Sequence, residues 1–113
     1  MRVEGRFIFK APRERVWDLL MDTGVLSRCI PGCKALTPTG PDRYSAILNL
    51  GVAAIKGEYK GTVSLLVKEP PFRFRMQVEG QGRGGFLRGE GVFSLTERDG
   101  ATHLVLQGEA QVG

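Results

Sequence analysis

The fold is decided by the stretch Phe72-Arg73-Phe74-Arg75-Met76-Gln77-Val78-Glu79. Apolar side chains alternate along it with charged or amide side chains, which is typical of a β-strand that buries one side and exposes the other. Pro70-Pro71 precedes the stretch and the glycine-rich residues 80–85 follow it, and both residue types favour turns. The pattern therefore predicts one strand of an antiparallel sheet with a solvated face.

Similar alternating segments lie on both sides of this strand. Short turns separate them at residues 40–42 and at Asp99-Gly100, where tight antiparallel connections are expected. The sequence predicts about seven strands, at residues 2–10, 34–39, 43–50, 58–68, 72–79, 87–95 and 104–112.

Two helical segments are predicted between the first and second strands. Ala11-Pro12 is expected to begin a helix over residues 13–21, because proline is favoured at a first helical position and the apolar residues of this segment form one stripe. Residues 22–24 are expected to end it. A shorter helical turn is predicted at residues 25–29, before the turn Ile30-Pro31-Gly32-Cys33.

The predicted class is α+β, and its sheet needs more cover than these helices provide. Seven strands span on the order of 34 Å, whereas a helix of about ten residues is about 15 Å long. The final residues, up to Gly113, still alternate like a strand. We therefore expect either a domain truncated at its C-terminus, with a covering helix lost, or a second copy that covers the sheet through a homo-oligomer.

Length and composition favour one ordinary globular domain over residues 1–113. The chain has 113 residues, of which 42% are hydrophobic and 25% charged, which argues against disorder. Its net charge of +4 lacks the dense basic run that nucleic-acid binding favours, so no nucleic acid is expected. No apolar stretch is long enough to span a membrane, no signal peptide is recognisable, and two cysteines suit a reducing compartment. A soluble, cytoplasmic protein is therefore predicted.

The segment from Ala11 to Cys33 carries the most specific motif, Cys29-Ile30-Pro31-Gly32-Cys33. With the preceding Val16-Trp17-Asp18-Leu19-Leu20, and with Tyr59-Lys60-Gly61 and residues 108–113 further on, the chain resembles CoxG, a family of carbon monoxide dehydrogenase subunits within the START-like (SRPBCC) superfamily. The resemblance spans nearly the whole chain. It implies a helix-grip fold, in which a curved antiparallel sheet wraps around a long C-terminal helix and encloses an apolar cavity. The sequence departs from that pattern by ending before such a helix.

The resemblance also implies an accessory protein, and not an enzyme, that serves carbon monoxide dehydrogenase or a related molybdenum hydroxylase. The leading prediction is the binding of a hydrophobic small molecule, lipid- or quinone-like, at the inner face of the membrane. One alternative is an assembly or membrane-docking protein without a ligand, and another is a cyclase- or hydrolase-like enzyme of the same superfamily. No residues resemble a molybdenum, iron–sulfur or carbon monoxide site, and no cofactor is expected.

Glycines recur at or beside the predicted inward positions, at Gly61, Gly80, Gly89, Gly91 and Gly108. One interpretation is that they only let the sheet bend; the other is that they also leave volume for a ligand. Ligand cavities are mostly apolar with a few polar groups, and Tyr44 and Tyr59 are the candidates for the polar groups. The predicted lining consists of Phe9, Tyr44, Leu48, Tyr59, Val63, Phe74, Met76, Phe93 and Leu106, and core packing is the competing role for each.

The two cysteines have several open roles. Cys29 and Cys33 are interpreted either as small buried hydrophobic residues, as a redox or regulatory pair, or as metal ligands, but a metal site would need more soft ligands than the distant His103 supplies. No metal site is expected. The turn Ile30-Pro31-Gly32-Cys33 is predicted to form a rigid lip at the cavity mouth.

Recognisable catalytic spacing is missing from the sequence. His103 is predicted on a surface position without a neighbouring Ser or Cys, and the carboxylates fall on outward strand positions, so no catalytic residue is proposed. The glycine-rich residues 80–85 have no phosphate-binding lysine and lie between strands, so a flexible hairpin is expected there, with Arg83 in a solvated turn.

Overall fold

A computed structural model describes residues 1–50 and 57–113 of the chain. These residues form one antiparallel sheet of seven strands in the order β1-β7-β6-β5-β4-β3-β2, with two helices after the first strand. The elements are β1 (Arg2–Phe9), α1 (Arg13–Leu20), α2 (Thr23–Cys29), β2 (Cys33–Gly40), β3 (Arg43–Leu50), β4 (Gly57–Glu69), β5 (Arg73–Gly82), β6 (Gly85–Arg98) and β7 (Ala101–Val112). The predicted α+β helix-grip class is therefore confirmed, as is the strand number. The hairpin expected at residues 80–85 is present, but its turn is only residues 83–84, because residues 80–82 and 85 belong to β5 and β6.

The connection between the helices differs from the sequence-based prediction. Thr23 and Gly24, which the sequence predicts at the end of the first helix, are the first residues of α2. The Asp22 carboxylate accepts hydrogen bonds from the backbone N–H groups of Gly24 (2.9 Å) and Val25 (3.2 Å), so it caps α2 at its N-terminus. The cap satisfies donors that would otherwise have no partner, which allows a new helix to start beside a glycine.

The helices cover only one half of the concave sheet face. Trp17 of α1 contacts Phe74 edge-to-face, with 5.6 Å between ring centroids, and Phe74 stacks on Phe93 at 4.9 Å. Val16, Leu20 and the other helix residues that pack here are almost completely buried. This aromatic cluster, Trp17, Phe74 and Phe93, forms the centre of the hydrophobic core.

Two hydrogen bonds fix the start of α1 against the sheet. The backbone N–H of Arg13 donates to Glu97 Oε1 at 2.7 Å, so a side chain of β6 supplies the cap that Pro12 cannot provide. The buried Thr102 hydroxyl donates to the Ala11 carbonyl oxygen, also at 2.7 Å. The position of α1 along the sheet is therefore set by β6 and β7.

Close backbone approaches bend the sheet at two glycine pairs. Gly61 pairs with Gly80 across β4 and β5, and Gly91 pairs with Gly108 across β6 and β7. A Cβ atom on Gly61 would collide with the Glu79 carbonyl oxygen, and one on Gly108 would collide with the carbonyl oxygen of residue 90. Only glycine fits at these two positions without a shift of the backbone.

Candidate functional site

The other half of the concave face holds an open apolar cavity. Its volume is about 400 Å³, and it lies beyond the end of the aromatic cluster, between β1, the turn after α2, and strands β3, β5, β6 and β7. The residues around it are Met1, Arg2, Val3, Glu4, Ile30, Pro31, Gly32, Leu48, Asn49, Met76, Val78, Leu87, Gly89, Glu90, Gly91, Leu106, Gly108, Glu109 and Ala110. This volume falls within the range of small-molecule sites, roughly 300–1,000 Å³.

Glycines with different roles meet in this cavity. At Gly108 a side chain is excluded because of the backbone of β6, so that glycine is needed for the bend. At Gly89 an added Cβ would meet only the Glu109 carbonyl oxygen at 3.4 Å and the Ala110 Cβ at 3.7 Å, which are ordinary contacts. The missing side chain of Gly89 therefore leaves volume that the backbone geometry does not require to be empty. Gly108 therefore serves the bend, whereas Gly89 leaves open volume; that this volume holds a ligand stays a prediction.

The structure divides the residues predicted to line the cavity into two groups. Leu48, Met76 and Leu106 line it. The other six lie away from its lining: Tyr44, Tyr59, Val63, Phe74 and Phe93 are buried in the core, and Phe9 packs against that core. In the predicted lip, Ile30, Pro31 and Gly32 border the cavity, whereas Cys33 does not.

Several lining residues are absent from the sequence-based prediction. Val3, Val78, Leu87 and Ala110 line the cavity from β1, β5, β6 and β7. All four occupy inward positions of the alternating pattern, so the sequence does contain a signal for them. The alternating pattern does not show how far along each strand the helices extend.

Comparison with known proteins identifies the family of this chain. The family model for CoxG, described as a carbon monoxide dehydrogenase subunit, matches residues 5–113. The chain belongs to the CoxG family. No curated protein matches it.

Solved structures show the same fold as this CoxG-family chain. A conserved protein from Geobacillus kaustophilus is 39% identical, with a TM-score of 0.79 over 100% of this chain and 75% of the other. A Deinococcus radiodurans protein (14% identical, TM-score 0.71, covering 97% and 83% of the two chains) and a Chromobacterium violaceum protein (17%, 0.69, 98% and 80%) are similar in fold alone.

Polar groups of the CoxG-family cavity lie at its rim on β1, β3, β6 and β7, and Asn49 is the one on β3. The N-terminal amino group donates to the Ala110 carbonyl oxygen at 2.8 Å and lies 3.8 Å from Glu109 Oε2. The rim carboxylates belong to exposed strand positions, and the cavity lining contains no Ser, Thr, Tyr, His, Cys or Lys among the residues that the structure describes. Within the same ranges, no group of three or more His, Cys, Asp or Glu could hold a metal ion.

Both cysteines are free thiols beside the lip. Burial raises the pKa of Cys29, with Arg28 opposing the shift, and burial also raises the pKa of Cys33, whose Sγ donates to the Ala35 carbonyl oxygen at 3.4 Å. Because the thiolate is the reactive form, a raised pKa lowers reactivity at neutral pH.

Tyr44, predicted as a polar group of the cavity, also has a raised pKa, because of burial and the nearby Asp42 carboxylate, with Lys68 opposing the shift.

In residues 1–50 and 57–113, no helix has the length and hydropathy of a membrane span.

Proposed function

We propose that this chain binds a hydrophobic small molecule, lipid- or quinone-like, in the cavity of its concave face. In this proposal it acts as an accessory protein of a carbon monoxide dehydrogenase or a related molybdenum hydroxylase at the membrane. The single observation that carries the proposal is the open apolar cavity above Gly89, Gly91 and Gly108. Membership of the CoxG family supports the accessory role.

The energetics of such a cavity favour an apolar ligand. Leu48, Met76, Val78, Leu87 and Leu106 are only 1–8% exposed, so most of the apolar surface that binding removes from water belongs to the ligand. Each Å² is worth roughly 25 cal/mol before the cost of immobilising the ligand is subtracted. A ligand that buried about 200 Å² of its own apolar surface would thus gain about 5 kcal/mol from this effect. The described lining offers no Ser, Thr, Cys, Lys or His side chain, and its carboxylates lie at exposed strand positions, so the arrangement favours binding over turnover.

Filling the cavity from Gly89 tests the proposal. Decylubiquinone should bind the wild-type chain saturably, and Gly89→Leu should weaken binding at least about tenfold because the new side chain occupies the ligand volume. Gly84→Leu is the matched control, since nothing lies within 4 Å of its added Cβ. Equal binding by both variants would contradict the cavity as the site. Native mass spectrometry of gently purified protein should show a co-purified apolar molecule, and a chain that neither carries nor binds one would overturn the proposal.

Membrane docking is a second candidate, favoured by the tip of the β4–β5 hairpin. Leu66, Val67 and Phe72 are exposed there by 42%, 64% and 47%, and the Arg13 guanidinium lies 4.6 Å from the Phe72 ring centroid. Apolar side chains beside a cation suit an anionic membrane surface. The wild-type chain should co-sediment with vesicles that contain phosphatidylglycerol, and the Leu66→Ser/Phe72→Ser variant should stay in the supernatant. The control variant Phe86→Ser, on another hairpin, should still co-sediment with the vesicles. Equal sedimentation of all three chains would argue against this tip.

A further inference from the structure

The two edges of the sheet differ in how they are protected against pairing. The β2 edge contains Pro38 and two register shifts, both of which disfavour the addition of another strand. The β1 edge has neither: Arg2 to Phe9 pair with β7 in one unbroken register, without a proline. In the part of the chain that the structure describes, only β7 pairs with β1. Within residues 1–50 and 57–113, the β1 edge is therefore open.

The backbone groups on that edge follow from the β1–β7 hydrogen bonds. Met1 exchanges two hydrogen bonds with Ala110, each of 2.8 Å. Because hydrogen-bonded and non-hydrogen-bonded pairs alternate in an antiparallel ladder, every second residue turns its N–H and C=O away from β7. These residues are Arg2, Glu4, Arg6 and Ile8, and all four side chains are exposed. Arg2 and Glu4 also lie at the rim of the cavity.

We propose that β1 pairs antiparallel with β1 of a second copy of this chain, about a two-fold axis at Gly5. The open N–H and C=O groups of Glu4 then face those of Arg6 of the second copy, and the reciprocal pair forms across the axis. Arg2 lies opposite Ile8 of the second copy, which would cover a side chain that is 68% exposed in the single chain. An interface of this kind is self-complementary, as a two-fold dimer requires.

Charge selects this register over its neighbours. A shift of two residues in one direction would place Glu4 opposite Glu4, and the same shift in the other direction would place Arg6 opposite Arg6. Like charges directly opposite each other destabilise a strand pair, whereas opposite charges stabilise it. A shift of one residue would leave the open N–H and C=O groups without partners. The register centred on Gly5 also keeps the full length of β1 paired.

The inner face of this strand pair is apolar and reaches the cavity. In the same register, Val3 lies opposite Phe7 of the second copy, and Gly5 lies opposite Gly5. Val3 lines the cavity, and Phe7 is only partly buried in the single chain. The second copy thus contributes an aromatic side chain beside each cavity. This dimer uses the sheet edge, whereas the sequence predicted a homo-oligomer through the uncovered sheet face.

Charge reversal and charge exchange on β1 test the proposal, independently of any ligand. Sedimentation velocity over a concentration range should show wild-type chain passing from monomer to dimer. Arg6→Glu places Glu4 opposite a glutamate twice per dimer and should raise the dissociation constant about tenfold or more. The double variant Glu4→Arg/Arg6→Glu restores opposite charges across the axis and should dimerise again.

The matched control is Arg75→Glu, the same charge change on the convex side of β5, which should leave dimerisation unchanged. The exchanged residues are exposed, and thermal unfolding monitored by circular dichroism shows whether each variant is folded. A wild-type chain that stays monomeric at all concentrations would overturn the proposal. The proposal would also be overturned if Arg6→Glu and Arg75→Glu weakened the dimer equally. The same holds if the double variant Glu4→Arg/Arg6→Glu failed to dimerise.

Discussion

The two halves of the concave sheet face are built on the same strands, but one half is packed with side chains and the other contains a cavity. Under α1, the rings of the aromatic cluster, Trp17, Phe74 and Phe93, pack on one another and are almost completely buried. Beyond the helices, Gly89, Gly91 and Gly108 take the inward positions of β6 and β7, and a cavity of about 400 Å³ is left. Close packing and open volume are therefore separated along the strands, because large side chains fill one half and glycines leave the other open.

Replacing a large side chain in the packed half with alanine should lower the free energy of unfolding more than any other change considered below. Phe74 is fully buried between Trp17 and Phe93, so Phe74→Ala should lower the free energy of unfolding by about 3–5 kcal/mol. Met76, two residues along the same strand, already borders free volume, and Met76→Ala should cost less than about 2 kcal/mol, since fewer contacts are lost. Urea unfolding of both variants checks the contrast, and equal costs would contradict the division into halves.

The two kinds of glycine should respond differently to alanine. Gly108→Ala should lower the free energy of unfolding by about 1–3 kcal/mol, because its Cβ would strike the backbone of β6. Gly89→Ala meets only ordinary contacts and should range from no change to a gain of about 1 kcal/mol. Thermal and urea unfolding measure both changes. A similar loss at the two positions would mean that Gly89 is also required by the bend.

The attachment of α1 to β7 should contribute a smaller amount. Thr102→Val keeps the shape of the buried side chain but removes the hydrogen bond to the Ala11 carbonyl oxygen, so the free energy of unfolding should fall by about 1–2 kcal/mol. Thr96→Val, on the exposed side of β6, is the control and should change it by less than about 0.5 kcal/mol. If both variants unfold alike, the buried hydrogen bond does not stabilise the helix position.

Alkaline pH should have the smallest effect on the free energy of unfolding. Burial raises the pKa of Cys29 above its ordinary 9.0 and that of Tyr44 above 10.0, so the folded chain holds these protons more tightly than the unfolded chain. The resulting stabilisation is fully present below pH 9 and is lost as the pH rises through the raised pKa values. Unfolding midpoints between pH 8 and about pH 11 should fall less steeply for Cys29→Ala/Tyr44→Phe than for the wild-type chain. Parallel curves would exclude these two groups as the cause.

Much of the fold follows from alternation that the sequence displays openly. Phe74, Met76 and Val78 are inward because polar residues separate them, and β5 is the strand that they predict. The predicted start of α2 is wrong because the cost of a glycine in a helix, about 1 kcal/mol, is offset at Gly24 by the Asp22 cap, which accepts hydrogen bonds from two backbone N–H groups of the first turn. A capping side chain that accepts hydrogen bonds from several backbone N–H groups can therefore offset the low helix propensity of a residue.

The site was harder to predict because alternation gives the face of a residue but not its depth along the sheet. Phe74 and Met76 are both inward, yet Phe74 lies under α1 and Met76 lies in the cavity. The difference is set by where α1 is held, through Glu97 and Thr102, which are contacts distant in sequence. For the same reason Tyr44 and Tyr59 are inward as expected but form part of the core.

Amide and indole NMR shifts during a decylubiquinone titration test the separation of the two halves most directly. The account predicts saturable shifts that are largest at the backbone amides of Gly89, Gly91 and Gly108, while the Trp17 indole signal stays in place. No saturable shift, or shifts centred on Trp17 with the three glycines unmoved, would contradict the cavity as the binding site.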